Sequence, residues 1–278
     1  MSQKQRDLQN KDPDNCREGP KNQHEPDVFE SIVEVGARHC RITSVLWTSN
    51  IYRNGPLVQR NSAAMKVQFK RHRRGFVYES GKRQIMCRGI TRLIDKRVCG
   101  GKSAPSARSG DKAYGRGGGR AIDRLITRHI KRGTWRTLKS GEAKAFFDAL
   151  QRWDLEPIAA QVAVCDARKR VATAVDVVAM HRRTRDTVVI EVKCGYQGCF
   201  DRAQGPCPRK AVRSLRISAL LRAELQACFG ARMYSRSSGV TVKRVLVVQI
   251  TRRAVVKHPV RRATLERVEV AWKIATAL

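Results

Sequence analysis

The chain has no apolar run that approaches the roughly 18 residues of a membrane-spanning helix. Residues 1–27 are polar and predict no signal peptide, so the nine cysteines are expected to be reduced thiols. No CxxC, HxxxH or HExxH motif occurs, which excludes the commonest zinc-binding patterns. The segment 100–103 ends like a phosphate-binding loop, but the first glycine of that motif is replaced by Lys96, which excludes an ATP site. These absences predict an intracellular protein with no membrane partner.

Acidic residues are scarce, with 24 Asp+Glu against 57 Lys+Arg and a formal net charge of +33. The first 30 residues hold more acidic than basic residues, so the excess belongs to the body of the chain. Such a charge favours a polyanionic partner, because each Lys or Arg near a phosphate releases a counterion. Charge alone fits a structural nucleoprotein component equally well. No long amphipathic basic helix supports binding to a membrane surface.

The composition along the chain predicts three segments. Residues 1–27 are expected to be disordered, 28–111 to form a basic N-terminal subdomain with a Gly/Ser-rich linker, and 112–278 to form the main domain. Strand-like runs in the N-terminal part are Ser44–Tyr52, Val67–Phe69 and Gly75–Tyr78.

The main domain has a regular apolar pattern. Helices are predicted at Arg120–Arg132, from a capping Ser140 to Trp153, and at Ala211–Phe229. Strands are predicted at Pro157–Cys165, Val171–Met180, Thr187–Cys194, Lys243–Thr251 and Leu265–Trp272. This order predicts an α/β fold.

Two of these strands carry the most informative residues. Segments 171–180 and 187–194 are joined by a polar, Arg-rich turn and predict a hairpin centred between Arg183 and Thr184. Antiparallel pairing about that centre places Asp176 opposite Glu191, and Lys193 shares the face of Glu191. One face of the hairpin is therefore expected to gather two carboxylates and an ammonium group.

Two opposed carboxylates in an apolar setting repel each other, and a divalent cation relieves that repulsion. Oxygen ligands favour magnesium or manganese, which would polarise a phosphate and acidify a water that Lys193 orients or deprotonates. A surface hairpin with solvated charges is the alternative. The valine-rich sequence on both sides of Asp176 and Glu191 disfavours this alternative, because it predicts strands that are buried on both faces.

Asp176, followed by the sequence Glu191-Val192-Lys193, resembles the PD-(D/E)XK nucleases, most closely the lambda-exonuclease and RecB-like branch. The resemblance covers residues 115–250. It implies a restriction-endonuclease-like core, a mixed central sheet flanked by helices, to which an N-terminal region is added. It also implies a DNA nuclease, an exonuclease or an endonuclease, acting on double-stranded DNA in viral or cellular recombination, repair or packaging.

The resemblance implies two more site residues. In this branch an acidic residue or His follows a Gly-rich turn, which here makes Asp123 a metal ligand beside Asp176 and Glu191, with Glu142 as the second choice. An acid in the first turn of a helix also favours the helix dipole, which is the alternative explanation of Asp123. Gln226 matches a glutamine that follows the third motif, although an exposed helical glutamine explains it equally well.

The leading hypothesis is therefore a magnesium- or manganese-dependent deoxyribonuclease located in the nucleus or another DNA-containing compartment. A non-catalytic basic nucleic-acid-binding protein and a degenerate nuclease fold are the alternatives. A zinc or iron–sulfur site at Cys194, Cys199 and Cys207 stays open, although no fourth ligand has a suitable spacing.

Overall fold

A computed structural model describes residues 76–80, 83–102 and 116–277 of the chain. The described strands are β1 (Phe76–Ser80), β2 (Arg83–Gly89), β3 (Leu155–Asp166), β4 (Val171–His181), β5 (Thr187–Cys194), β6 (Val242–Ile250) and β7 (Val255–Pro259). The described helices are α1 (Ile90–Leu93), α2 (Arg116–Arg132), α3 (Glu142–Arg152), α4 (Ala219–Ser238) and α5 (Arg262–Thr276). The tail expected at 1–27 and the runs expected at 44–52 and 67–69 lie outside the described residues.

The strands form a mixed sheet in the order β1-β2-β4-β5-β6-β7, and β3 pairs with β4. The pairs β2–β4 and β5–β6 are parallel, and the other pairs are antiparallel. Helices pack on both faces, which confirms the predicted α/β class with a mixed sheet flanked by helices. None of the described helices has the length and apolar character needed to cross a membrane.

Strand β4 has different partners along its two edges. β3 pairs with one edge almost from end to end, so β2 and β5 must share the other edge. β5 pairs with the segment 177–180, and β2 pairs only with Val171 and Ala172. Between these two ladders, β5 leaves β4 and continues paired with β6 alone. The strands therefore open a gap beside Asp176.

The two faces of the sheet bury separate apolar clusters. The first cluster joins α2 and α3 to the sheet through residues such as Ile126, Phe146, Phe147, Leu150, Val177 and Ile190. The second cluster joins α1, α4 and α5 to the opposite face through residues such as Ile90, Leu221, Phe229, Trp272, Val175 and Val178. The sheet thus lies between two helical layers, and residues of β4 contribute to both clusters.

Residues 83–102 belong to this same packed body. β2 adds a strand beside β4, and Ile90, Ile94 and Val98 are fully buried in the second cluster. The described residues 83–102, which precede the boundary predicted at 111 and 112, therefore share an apolar cluster with the main domain.

The strand predicted at Leu265–Trp272 is wrong, because these residues belong to helix α5. Val268, Val270 and Trp272 alternate as in a strand. Residues 268, 271, 272 and 275, however, follow the helical spacing of three and four, and they pack on the second cluster. A contact between the rings of Trp272 and Phe229, with centroids 5.1 Å apart, fixes this face of the helix.

The ends of the other helices also differ from the prediction. α2 already begins at Arg116, so the glycines at 117–119 lie within a helix, and a Cβ at Gly119 would be 3.4 Å from that of Cys194. α3 begins at Glu142 without the predicted Ser140 cap, because Gly141 at φ +89° holds the N-cap position. α4 begins at Ala219, where the Ser218 hydroxyl accepts from the Leu221 amide at 3.0 Å.

Candidate functional site

The predicted register of the β4–β5 hairpin is confirmed where the strands pair. Val177 lies opposite Ile190, the pairing that places Asp176 opposite Glu191 one step further on. The ladder ends at this step, where the Asp176 carboxylate contacts the backbone of β5. Its Oδ2 accepts a hydrogen bond from the backbone amide of Val192 at 2.9 Å. The side chain therefore replaces the backbone as the partner of β5 at the start of the gap.

Asp123 lies in the same gap, two turns into α2. Gln161 of β3 connects it to Asp176, since the Gln161 Nε2 group donates to Oδ1 of both carboxylates, at 3.1 Å each. Asp123 is not in the first turn of α2, which has no acidic residue, so stabilisation of the helix dipole does not explain its position. Three elements, α2, β3 and β4, thus contribute one polar side chain each.

Glu191 and Lys193 form the second half of the site. The Glu191 side chain is only 3% exposed, and Lys193 donates from Nζ to its Oε1 at 2.5 Å. The same ammonium group lies 3.4 Å from Oε1 of Gln226, which reaches it from α4. The two residues share one side of β5, as their spacing of two predicts. The helical layer on that side supplies Gln226.

The site carries more negative than positive charge. Burial, and then the negative charge of Asp176, raise the pKa of the Glu191 carboxyl to about 8. Burial and Asp176 also raise the pKa of Asp123, against the hydrogen bond from Gln161. Glu191 and Asp176 raise the pKa of Lys193 in spite of its burial, so its ammonium form is retained. The two raised carboxyl pKa values mean that the site favours the uptake of a positive charge.

The structure brings five predicted residues together: Asp123, Asp176, Glu191, Lys193 and Gln226. Glu142, the second choice for the third ligand, is the first residue of α3, and its charge acts on Cys194.

Cys207, one of the three cysteines clustered in the sequence, has a contact elsewhere in the fold. The thiols of Cys207 and Cys99 are hydrogen-bonded to each other, so Cys207 has a partner outside the cluster that the sequence indicated. No group of three or more His, Cys, Asp or Glu side chains in the described part of the chain is already arranged to hold a metal ion.

Gln161 is the site residue that the sequence analysis missed. The β3–β4 register pairs Ala160 with Val177 and Val162 with Val175, which places Gln161 opposite Asp176. The same register counting applied to the turn at 167–170 identifies this position, since β3 and β4 form a hairpin as β4 and β5 do. A glutamine within an otherwise apolar strand segment was the available signal.

The donor set fits a hard divalent cation. Asp123, Asp176 and Glu191 offer carboxylate oxygens, the ligands that magnesium and manganese prefer. Burial and the charge of Asp176 raise the pKa of Asp123 and of Glu191, so a cation among these oxygens would relieve the repulsion between them. The Gln161 amide donates to both Asp123 and Asp176, and the Lys193 ammonium donates to Glu191.

No protein-family model matches this chain, and a search of curated proteins finds no significant match.

Proposed function

We propose that the chain is a metal-dependent DNA nuclease with a restriction-endonuclease-like core of the PD-(D/E)XK type. The observation that carries this proposal is the meeting of Asp123, Asp176, Glu191 and Lys193 where strands β4 and β5 separate. A structural role does not require two carboxyl groups with raised pKa values at one opening of a sheet.

Asp123, Asp176 and Glu191 are the residues that would hold the cation. A bound divalent cation supplies Lewis acidity toward a phosphodiester and lowers the pKa of a coordinated water. Glu191 must lose its proton before its oxygens act as ligands, because its pKa is about 8 in the metal-free protein.

Lys193 carries out the remaining chemistry in this proposal. Its ammonium is held in place by Glu191 at 2.5 Å, so its orientation is fixed before substrate binds. In that position it orients the attacking water and stabilises the negative charge that develops on the phosphate. Gln226, 3.4 Å from Nζ, positions the ammonium from α4.

The proposed substrate is double-stranded DNA, in a nucleus or another DNA-containing compartment. The support is electrostatic, since a net charge of +33 attracts a polyanion and makes the affinity strongly dependent on salt. Recombination, repair and packaging of viral or cellular DNA are the processes in which such a nuclease acts.

The test is cleavage of end-labelled linear DNA and covalently closed circular DNA with Mg²⁺, with Mn²⁺ or with a chelator. Wild type is expected to cut only with a metal, and the two substrates separate exonuclease from endonuclease action. Asp176→Ala and Lys193→Ala are expected to lose cleavage while they stay folded and keep the wild-type DNA affinity. Lys243→Ala, which removes an exposed lysine of β6, is the matched control and is expected to cut normally.

Two results would contradict the proposal. Cleavage that persists in purified Asp176→Ala and Lys193→Ala would come from another site or a contaminant. DNA binding by the wild type without cleavage under any metal would instead favour a non-catalytic nucleic-acid-binding protein or a degenerate nuclease.

A further inference from the structure

The backbone of β3 is strained at Gln161. Its φ of +51° lies in the left-handed region, which a residue with a Cβ adopts at a cost. Glycine or asparagine would adopt that conformation more easily. The residues on both sides of Gln161 belong to the same strand, β3. A strand interior rarely keeps such a residue unless its side chain has a use.

The faces that the neighbouring residues occupy change at this position. In a regular strand residues two apart share a face. Here Ala160 packs with the α2–α3 cluster, whereas Val162 packs with the cluster on the opposite face. On β4, Val177 and Val175 are divided between the same two clusters. The alternation of both strands is therefore reset at the opposed residues Gln161 and Asp176.

This reset gives the Gln161 amide its position between two carboxylates. One nitrogen, Nε2, carries two hydrogens, and it lies 3.1 Å from Oδ1 of Asp123 and 3.1 Å from Oδ1 of Asp176. The arrangement uses the full donor capacity of that nitrogen. A partly positive group is thereby placed where the like charges of Asp123 and Asp176 would otherwise repel each other.

We propose that Gln161 is the positioning residue of this site: its amide holds Asp123 and Asp176 together before a cation binds, and the strained backbone serves to place it there. The role toward the cation rests on the proposed function. The role in joining the two carboxylates does not, since it concerns the metal-free protein.

The first test measures Tm of the metal-free protein. Gln161→Leu removes the amide and keeps the strain, so its Tm is expected to fall. Gln161→Gly also removes the amide but relieves the strain, so it is expected to melt above Gln161→Leu. Adding Asp123→Asn to Gln161→Leu removes the repulsion and is expected to restore part of the loss. Gln204→Leu, which changes an exposed loop glutamine, is the control and is expected to melt as wild type does.

The second test measures Mn²⁺ binding by calorimetry. Loss of a residue that orients metal ligands weakens binding about 10- to 100-fold, so Gln161→Leu and Gln161→Gly are both expected to bind about tenfold or more weakly. Gln161→Glu separates positioning from general stability. It cannot donate to the two carboxylates, so its metal-free Tm falls, but it adds an oxygen ligand, so it binds Mn²⁺ more tightly than wild type.

The outcomes distinguish the two proposals. Equal Mn²⁺ affinity of wild type and Gln161→Leu, or an unchanged metal-free Tm in Gln161→Leu and Gln161→Glu, would overturn the role of Gln161. Failure of the wild type to bind Mn²⁺ would overturn the metal-dependent nuclease and the cation part of this inference. The metal-free coupling between residues 161 and 123 would still decide whether Gln161 joins the carboxylates.

Discussion

Two buried glutamates, Glu224 and Glu191, show how differently one residue type is used in this molecule. Glu224 on α4 is 0% exposed and is surrounded by donors from the start of α5. Its Oε1 accepts from the backbone amide and Nε of Arg261, and its Oε2 accepts from Nη2 of Arg261 and the hydroxyl of Thr264. A carboxylate with both oxygens satisfied in this way joins two helices.

Glu191 is nearly as buried, at 3% exposed, but its surroundings do not match its charge. Lys193 donates to Oε1, while burial and then the charge of Asp176 raise the pKa of Glu191 to about 8. The difference indicates that burial alone does not set the electrostatic surroundings of a carboxylate. The balance between donors and neighbouring negative charge separates Glu224 from Glu191, the proposed site residue.

The largest effect is expected from breaking the hydrogen bonds and the ion pair that surround Glu224. Glu224→Gln places an amide against donors and leaves Arg261 paired with the exposed Asp201 instead of a buried anion, so we expect a loss of about 3 kcal/mol in the free energy of unfolding. The value lies at the lower end of the range for buried pairs because the Arg261 side chain is 37% exposed. Urea unfolding measures it.

The control for this prediction is Glu266→Gln, which changes a glutamate in an exposed pair with Arg262 one helical turn away. Its expected change is within about 0.5 kcal/mol. A loss as small as this in Glu224→Gln would contradict the structural role of the buried cluster.

The same substitution at Glu191 is expected to affect cleavage instead of stability. At pH 7 the carboxyl with a pKa of about 8 is largely protonated, and Gln resembles that form, so metal-free unfolding should change little. Cleavage is expected to fall about a hundredfold or more, equivalent to roughly 2.7 kcal/mol, because an oxygen ligand is lost. Initial rates in Mg²⁺ test this, and unchanged rates would remove Glu191 from the site.

The sequence predicted the elements in which local pattern and tertiary structure agree. The β4–β5 register follows from the turn centre alone, so the pairing step that aligns Asp176 with Glu191 was predictable. Gln226 and Asp123 were implied by resemblance, and the structure places both near the residues derived from the register.

The rest depended on interactions that are distant in sequence. The strand prediction at 265–272 was wrong because the apolar residues there fit both the two-residue period of a strand and the 3.6-residue period of a helix. Packing on Phe229 favours the helix. The left-handed φ of Gln161 has no local signal, since it arises where β3, β4 and α2 meet. The gap beside Asp176 likewise depends on β5 pairing with β6 instead of β4.

The pH dependence of stability is a further test of the surroundings of Glu191. Since folding raises the pKa of Glu191 from its ordinary value near 4.5 to about 8, the metal-free protein gains stability from its protonation at low pH. That gain is complete below about pH 4.5 and is lost as the pH rises through 8, on the order of 3–4 kcal/mol between pH 5 and 8. The difference between wild type and Glu191→Gln in urea unfolding across this range isolates it.

With Mg²⁺ present, the stability of the wild type should rise with pH instead of falling. The cation competes with the proton on Glu191 and binds more tightly as the pH rises. A difference between wild type and Glu191→Gln that does not vary with pH would show that Glu191 ionises normally.

The smallest effect tests whether the Glu224 cluster depends on its ion pair or on a single hydroxyl. Thr264 is buried, and its Oγ1 donates to Oε2 of Glu224 at 2.7 Å. Thr264→Val keeps the shape and removes that donor, while Nη2 of Arg261 still reaches Oε2 at 2.9 Å. We therefore expect a loss of about 1.5 kcal/mol in urea unfolding, against about 3 for Glu224→Gln. Equal losses in Thr264→Val and Glu224→Gln would mean that the hydroxyl of Thr264, and not the ion pair with Arg261, stabilises the buried carboxylate. Glu224 would then differ from Glu191 in its hydrogen bonds and not in the charge of its neighbours.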